Sequence, residues 1–396
     1  MLRVLTLSTL FPDASRPNFG IFVERQTLAL VSHDDVEVRI VAPVGIPPWP
    51  LSKLARYRSL TQLPLREDWK GLTVYRPRFR NLPGTGGRFH ARMVARAVAP
   101  LLDKIRAEYP FDLIVAEFFY PDGPAAVALG KRYGVPVSAT ARGSDIHRWG
   151  KTPGVSNQIL AAGDTLDGML AVSQAMRRDM IAMGMPADTI ETSTTGVDQV
   201  RFAPRDRVAA KAALGVSGPL VASMGALIPL KGHDILIDAV AKLPGVNLWI
   251  AGQGPEQARL EAQVARLGLG DRVRVMGAVA HDAVPELVAA ADVMALASER
   301  EGLANAWIEA LASGTPVVIP DVGGARQVLG ESVVAGRIVA RSAEGFATGI
   351  AEMLAAAPDP LAVRAIVEAY TWPANSANLA RFYGQLVAGY RHDASN

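Results

Sequence analysis

The chain has 396 residues, 49% of them apolar, which is more than one hydrophobic core holds and implies two or three domains. It has no cysteine, which excludes disulfides, a thiolate metal site and a cysteine nucleophile. The formal net charge of +3 conceals an asymmetry: residues 53–106 hold thirteen Lys/Arg against Glu67, Asp68 and Asp103, and the remainder is net acidic.

The chain opens on Met1-Leu-Arg-Val-Leu-Thr-Leu-Ser8, a run of strand length without the apolar region and cleavage site of a signal peptide. No segment has the roughly 18 uninterrupted apolar residues of a spanning helix. A cytoplasmic protein is expected, peripheral at most at the inner membrane face. Short apolar runs then alternate with helix-length segments, the pattern of βαβ units and parallel sheets. Val4–Ser8, Val36–Ala42, Leu72–Tyr75, Leu113–Ala116, Val135–Ala139 and Met169–Val172 read as strands. Ala91–Glu108 reads as a long basic amphipathic helix, and Pro121–Tyr133 as a helix closed by Gly134.

The basic block at 53–106 has two readings: a solvated face, or a surface for anionic lipid or for a lipid pyrophosphate. Nucleic acid is disfavoured, because no aromatic-interleaved RNA motif accompanies the charge. Pro47-Pro-Trp-Pro-Leu51 lies just upstream, either as an apolar contact at a membrane interface or as a Pro-rich cover on the core.

Past Thr195-Gly-Val-Asp198 the polar stretch Gln199–Asp206, which contains Pro204, reads as a linker. A second alternation follows, with strands at Leu220–Met224, Val246–Ala251, Val273–Met276, Val293–Ala297, Val317–Ile319 and Ser332–Val334. Helices fit at 232–242, 255–267, 282–290 and 305–313, and the tail Asn375–Arg391 is helical in composition. Two Rossmann-like halves, 1–199 and 200–374, are the simplest architecture.

Several strand-to-helix turns carry residues suited to anions. Met224-Gly-Ala-Leu-Ile-Pro-Leu-Lys-Gly-His233 follows a strand and opens a helix, placing Gly225 and Lys231 where a phosphate is bound. Ala251-Gly-Gln-Gly-Pro-Glu256 and Met276-Gly-Ala-Val-Ala-His281 repeat that geometry; His281 reads as a capping or surface residue. Glu301-Gly-Leu-Ala-Asn-Ala-Trp-Ile-Glu309 brackets a loop-to-helix junction with two carboxylates, and Asp321-Val-Gly-Gly-Ala-Arg326 is a further glycine-rich turn. In the first half, Pro17–Gln26 contains Gly20, and Ala141-Arg-Gly-Ser-Asp-Ile146 places Arg142 and Asp145 after a strand. The bland alternatives are a turn glycine at 20, a helix-start aspartate at 145 and a surface lysine at 231.

In order and spacing these motifs resemble family 4 glycosyltransferases, over almost the whole chain and most specifically in Glu301-x7-Glu309. The resemblance implies the α/β GT-B fold: two Rossmann-like domains facing across a cleft, with the C-terminal helix 375–396 packed back on the first. It implies a retaining transferase moving a sugar from a nucleotide-sugar, a UDP-sugar above others, to a lipid-linked or oligosaccharide acceptor. The order of Tyr120-Pro-Asp-Gly123 and Arg142-Gly-Ser-Asp145 is similar to the branch that builds surface polysaccharide.

The resemblance also implies roles. Lys231 would stabilise the diphosphate, Glu309 anchor the ribose and Glu301 position the sugar, with Arg142 and Asp145 completing the sugar side. Gly20, Gly225, Gly252, Val279 and the backbone of Gly302, Leu303, Ala304, Asn305 and Ala306 would line the donor. Three positions depart from the family pattern: Arg142 replaces a His, Ala226 an Arg and Thr195 an Asn. The lost Arg leaves Arg142, Arg300 or Arg326 as other sources of charge.

No Asp-x-Asp occurs, and the six His have no metal-ligand spacing, so neither metal nor cofactor is expected and the nucleotide-sugar is a co-substrate. With no evident protein nucleophile, front-face attack is the favoured mechanism. The rivals are a GT-B sugar-nucleotide 2-epimerase and a non-catalytic sugar-nucleotide-binding homologue. A dehydrogenase is disfavoured, because the first strand is not followed by a compact Gly-x-Gly-x-x-Gly.

Overall fold

The computed structural model describes residues 1–393, apart from the side chains of His281 and Asp393. It divides into two units, Met1–Gly196 together with the segment from Trp372 onward, and Val197–Thr371. The chain therefore passes from unit to unit at 196/197 and at 371/372, rather than at 199/200 and 374/375. Val197 and Thr371 form a bridge, and Arg364 Nη1 donates to the carbonyls of Phe202 (3.0 Å) and Ala312 (2.9 Å). The polar stretch read as a linker is thereby built into the second unit, with Phe202 fully buried.

The first unit holds strands β1 (Leu2–Leu7), β2 (Val36–Val41), β3 (Val44–Ile46), β4 (Arg66–Trp69), β5 (Leu72–Tyr75), β6 (Arg78–Arg80), β7 (Leu113–Ala116), β8 (Val137–Ala141), β9 (Gly168–Ala171) and β10 (Ile190–Thr192). Eight form one sheet in the order β10-β9-β8-β7-β1-β2-β5-β4, and β3 pairs with β6 separately. The large sheet is parallel except for the β4–β5 hairpin, which composition alone did not announce. Its two-residue turn, Lys70-Gly71, has positive φ at both positions (53° and 83°), as a twisted two-residue hairpin requires. Lys70, disfavoured there, donates to the buried carboxylate of Glu24 at 2.7 Å.

Helix His90–Glu108 shows why the basic segment folds as it does. Ala91, Val94, Val98, Leu102 and Ile105 recur at helical spacing and are buried, while Arg92, Arg96 and Lys104 point outward. Not all of the thirteen cations are surface charge. Arg76 is buried, paired with Glu67 and donating to the Pro12 carbonyl at 2.7 Å. Arg78 donates to the Arg76 and Leu63 carbonyls. Arg106 lies over the rings of Phe111 and Tyr133.

The last helix, Trp372–Asp393, belongs to the first unit. Leu379, Phe382, Tyr383 and Val387 join the core around Val23, Leu30, Leu113 and Leu170. Gly168 makes this approach possible, since a Cβ there would come within 2.7 Å of the Phe382 ring.

The second unit holds β11 (Leu220–Met224), β12 (Asn247–Ala251), β13 (Val273–Gly277), β14 (Val293–Ala295), β15 (Val317–Pro320) and β16 (Gly336–Val339). They form one parallel sheet in the order β13-β12-β11-β14-β15-β16. The strand expected at Ser332–Val334 is displaced to β16. Val333 and Val334 are exposed, and Gly336 pairs with Val317 so closely that a Cβ would meet the Val317 carbonyl at 2.1 Å. Close backbone approach, not β-branching, selects the paired segment.

Candidate functional site

In an open parallel sheet, ligands sit outside the carboxyl ends of the strands where the strand order reverses. In the second unit that point lies between β11 and β14. The loops leaving these strands carry Gly225–Gly232 and Leu296–Ala304, and they are laced together through the backbone. The Glu299 N–H donates to the Leu230 carbonyl at 2.8 Å. Gly232 adopts φ 64°, and a Cβ there would meet the Ala297 carbonyl at 2.2 Å, so no other residue fits.

This lacing brings Lys231 and Glu301 together, and they form a direct ion pair. Ser298, fully buried, donates to the same Glu301 oxygen at 2.6 Å. Glu301 is thus a held carboxylate and Lys231 a held cation, both partly accessible, with side-chain exposures of 12% and 19%.

Beyond them helix Asn305–Ala312 begins. Its N-cap is Ala304, which has no side-chain acceptor for the first-turn amides. Amide donors at an uncapped helix start, together with the helix dipole, suit an anion. Gly302, Leu303 and Ala304 are buried, and Asn305 and Ala306 half-buried. Glu309 lies one turn further along, half-buried, on the same helix.

The glycine-rich turns close on one another. A Cβ at Gly252 would fall 1.8 Å from the Gly225 carbonyl, and one at Gly323 would fall 2.3 Å from the Glu301 carbonyl. Val279, in the loop after β13, is half-exposed. Of the other sources of charge, Arg326 forks onto Asp321 with Nε–Oδ1 and Nη2–Oδ2 distances of 2.9 and 2.7 Å, and Arg300 approaches Glu299 at 3.5 Å.

The first unit has its own reversal, between β1 and β7; Gly20 and Arg142 lie on loops that leave strand carboxyl ends, and Asp145 lies in the short helix Ser144–His147 that follows Arg142. Arg142 is not an open donor. Its guanidinium pairs with Glu117, its Nε donates to the Glu117 carbonyl at 2.7 Å, and Nη2 reaches Gln26 Oε1 at 3.2 Å. Gln26 in turn donates to Glu117 Oε1 at 2.9 Å.

Asp145, fully buried, accepts from the backbone N–H groups of Phe119, Arg142, Gly143 and Ile146. It shapes the turn that carries Arg142. Burial pushes its carboxyl upward, opposed by those amide donors. Gly20, at φ 70°, sits against the Leu10 carbonyl, where a Cβ would come within 2.5 Å; the chain's own backbone requires glycine there.

Sequence reasoning did not single out Ser298, Glu117 or Gln26. Their partners lie 3, 25 and 91 residues away, and only the folded loops supply the connection. Asp122 is a further case. It is buried, accepts from the Thr9 N–H and hydroxyl, and leaves Oδ1 without a partner.

Burial pushes the Asp122 carboxyl up to about 8, and neighbouring Asp145 and Glu117 add to the rise. The folded chain then holds a proton that the unfolded chain, at its ordinary 3.8, releases. This contribution to stability is complete below 3.8 and is lost as pH rises toward 8. Asp122→Asn keeps an acceptor for Thr9 and should flatten the fall in melting temperature between about pH 5 and pH 8. Parallel pH profiles for the variant and the parent chain would contradict this.

Two strand-order reversals, each with charged and glycine-rich loops at its carboxyl ends, make two Rossmann-like units, each with a place for a ligand. Two family models account for most of the chain: Glycosyltransferase Family 4 over residues 23–201 and Glycosyl transferases group 1 over residues 205–372. The D-inositol 3-phosphate glycosyltransferase of Saccharomonospora viridis is 30% identical over 321 residues, 72% of each chain. The putative teichuronic acid biosynthesis glycosyltransferase TuaC of Bacillus subtilis is 28% identical over 339 residues, 83% of this chain and 84% of that one. The solved structure of Anabaena Alr3699/HepE in complex with UDP matches with a TM-score of 0.75 at 21% identity, over 97% of this chain and all of that one. The chain belongs to glycosyltransferase family 4 and is a transferase. Among the described residues no helix is long and apolar enough to cross a membrane.

Proposed function

We propose that the chain is a retaining, metal-independent glycosyltransferase that takes a UDP-sugar as donor in its second unit and delivers the sugar to a lipid-linked or oligosaccharide acceptor held by the first, in surface polysaccharide assembly. One observation carries the reading: Lys231 and Glu301, seventy residues apart, are paired beside an uncapped helix start whose second turn carries Glu309. The arrangement suits a diphosphate on the amides and ammonium, a pentose on Glu309 and a hexose beside Glu301. The UDP and UDP-glucose complexes of HepE, a protein of the same fold, support a uridine donor. TuaC, named for teichuronic acid biosynthesis, supports a glycan acceptor.

As the glycosidic bond breaks, negative charge develops on the leaving diphosphate, and Lys231 with the helix amides stabilises it. In front-face attack that phosphate accepts the acceptor's proton while the sugar passes through oxocarbenium character. Ala226 provides no second cation in the loop, so the burden on Lys231 is heavier than in relatives with Arg there. In the first unit Asp145 shapes the turn that carries Arg142, and Glu117 holds the Arg142 guanidinium. Chelators are expected to leave transfer unchanged.

The test is a melting-temperature screen of UDP-, GDP- and ADP-sugars, since a ligand that binds only the folded state at 100 times its Kd stabilises by about 2.7 kcal/mol. UDP-sugars should raise the melting temperature. A rise with GDP-mannose and none with any UDP-sugar would reverse the donor assignment.

A further inference from the structure

Residues 48–62 run along the surface of the first unit with no side chain fully buried, although Ser52, Tyr57 and Leu60 are half-buried. Both ends are anchored. Pro47 is buried just past β3, which pairs with β6, and at the far end Leu63 is buried and its carbonyl accepts from Arg78. Between the anchors lie a single 3-10 turn, Leu51–Lys53, and helix Ala55–Gln62, neither with any buried residue.

A helix on a globular protein ordinarily turns an apolar stripe to the core. Helix Ala55–Gln62 half-buries Tyr57 and Leu60, but the large apolar side chains just before it lie in solvent: Trp49 is 76% exposed, Leu51 39% and Leu54 44%. Lys53, Arg56 and Arg58 are interspersed with them, and no acidic residue occurs from 38 to 66. Among the described residues no carboxylate pairs with these three cations; the Arg56 guanidinium lies over the Tyr57 ring at 4.8 Å.

A solvated basic face accounts for the cations but not for a tryptophan and two leucines among them. Single exposed apolar residues are ordinary; a cluster within six residues marks an interaction surface. The combination fits the boundary of a bilayer, where tryptophan sits at headgroup depth, leucines reach the acyl boundary and cations meet anionic headgroups.

We propose that residues 48–62 dock the first unit on an anionic phospholipid surface by inserting Trp49, Leu51 and Leu54 between headgroups, with Lys53, Arg56 and Arg58 holding the phosphates. The docking deepens the lipid-linked acceptor reading above and rests on it for its purpose, since an acceptor anchored in a bilayer is met only at that surface. The electrostatic part weakens as salt screens the charges, while the inserted apolar part persists. A purely electrostatic contact through the whole 53–106 block would leave no such remainder.

The experiment is co-sedimentation of the full chain with phosphatidylglycerol–phosphatidylcholine vesicles. The parent chain should bind, more weakly at high salt but still measurably. The triple variant Trp49→Ser, Leu51→Ser, Leu54→Ser should lose about tenfold in partitioning at every salt concentration. The variant Lys53→Gln, Arg56→Gln, Arg58→Gln should no longer prefer anionic over neutral vesicles. All six residues are exposed, so melting temperatures should match the parent.

A parent chain that does not sediment with vesicles, or a serine variant that sediments as well as the parent, overturns the docking. So does a dimer in light scattering that the serine variant abolishes while vesicles bind neither protein. The UDP-dependent rise in melting temperature, measured on the same samples, reports on the transfer reading alone.

Discussion

Replacing Lys231 by alanine should lower kcat for sugar transfer by about 10²–10³, the range seen when one preorganised transition-state contact is removed. The loop after β11 offers no second cation, because position 226 is alanine, and Arg326 is committed to Asp321. Charge developing on the leaving diphosphate would then meet helix amides alone. Stability should change little, since Lys231 is partly exposed and Glu301 keeps its hydrogen bond from Ser298 at 2.6 Å. Initial rates across donor concentrations separate the two effects: the loss belongs in kcat, with a smaller rise in KM. A variant that transfers at the parental rate would remove Lys231 from the chemistry. It would also leave the pairing with Glu301 as a purely structural contact.

Glu117→Gln should be the most destabilising of the single changes considered, by about 3–5 kcal/mol, because it leaves a buried guanidinium without its counter-charge. Glu117 and Arg142 have side-chain exposures of only 4% and 9%. Gln26 supplies Arg142 with a neutral oxygen, which cannot replace a carboxylate. The double variant Glu117→Leu, Arg142→Met removes both charges and should recover most of the loss. Denaturant unfolding followed by circular dichroism measures both. If Glu117→Gln costs less than about 1 kcal/mol, the pair behaves as a solvent-exposed one and Arg142 is not held in the way described.

The alternation of apolar runs with helix-length segments placed most strands within two residues, and for a physical reason. Parallel strands covered on both faces are largely apolar, and they show as short continuous runs such as Leu113–Ala116 and Val317–Pro320. The runs that misled are instructive. Val333-Val334 has strand composition but lies exposed, while Gly336-Arg-Ile-Val339 forms the edge strand. The difference is the closeness of Gly336 to the Val317 backbone. Ile190–Thr192 and the Arg66–Trp69 edge strand were too short or too polar to register.

The candidate site divides along the same line. Composition, spacing and turn chemistry pointed to the doubly wound α/β class and to the residue types bracketing the second unit's loop-to-helix junction, because these depend on near neighbours along the chain, and the family came from the resemblance of those motifs. Tertiary structure decided that Lys231 meets Glu301, that Ser298 holds Glu301, that Arg142 is bound to Glu117 and Gln26, and that Trp49, Leu51 and Leu54 stay in solvent. Ion pairs form through space between groups whose separation along the chain carries no signal. Whether an apolar side chain is buried depends on what the rest of the fold brings against it.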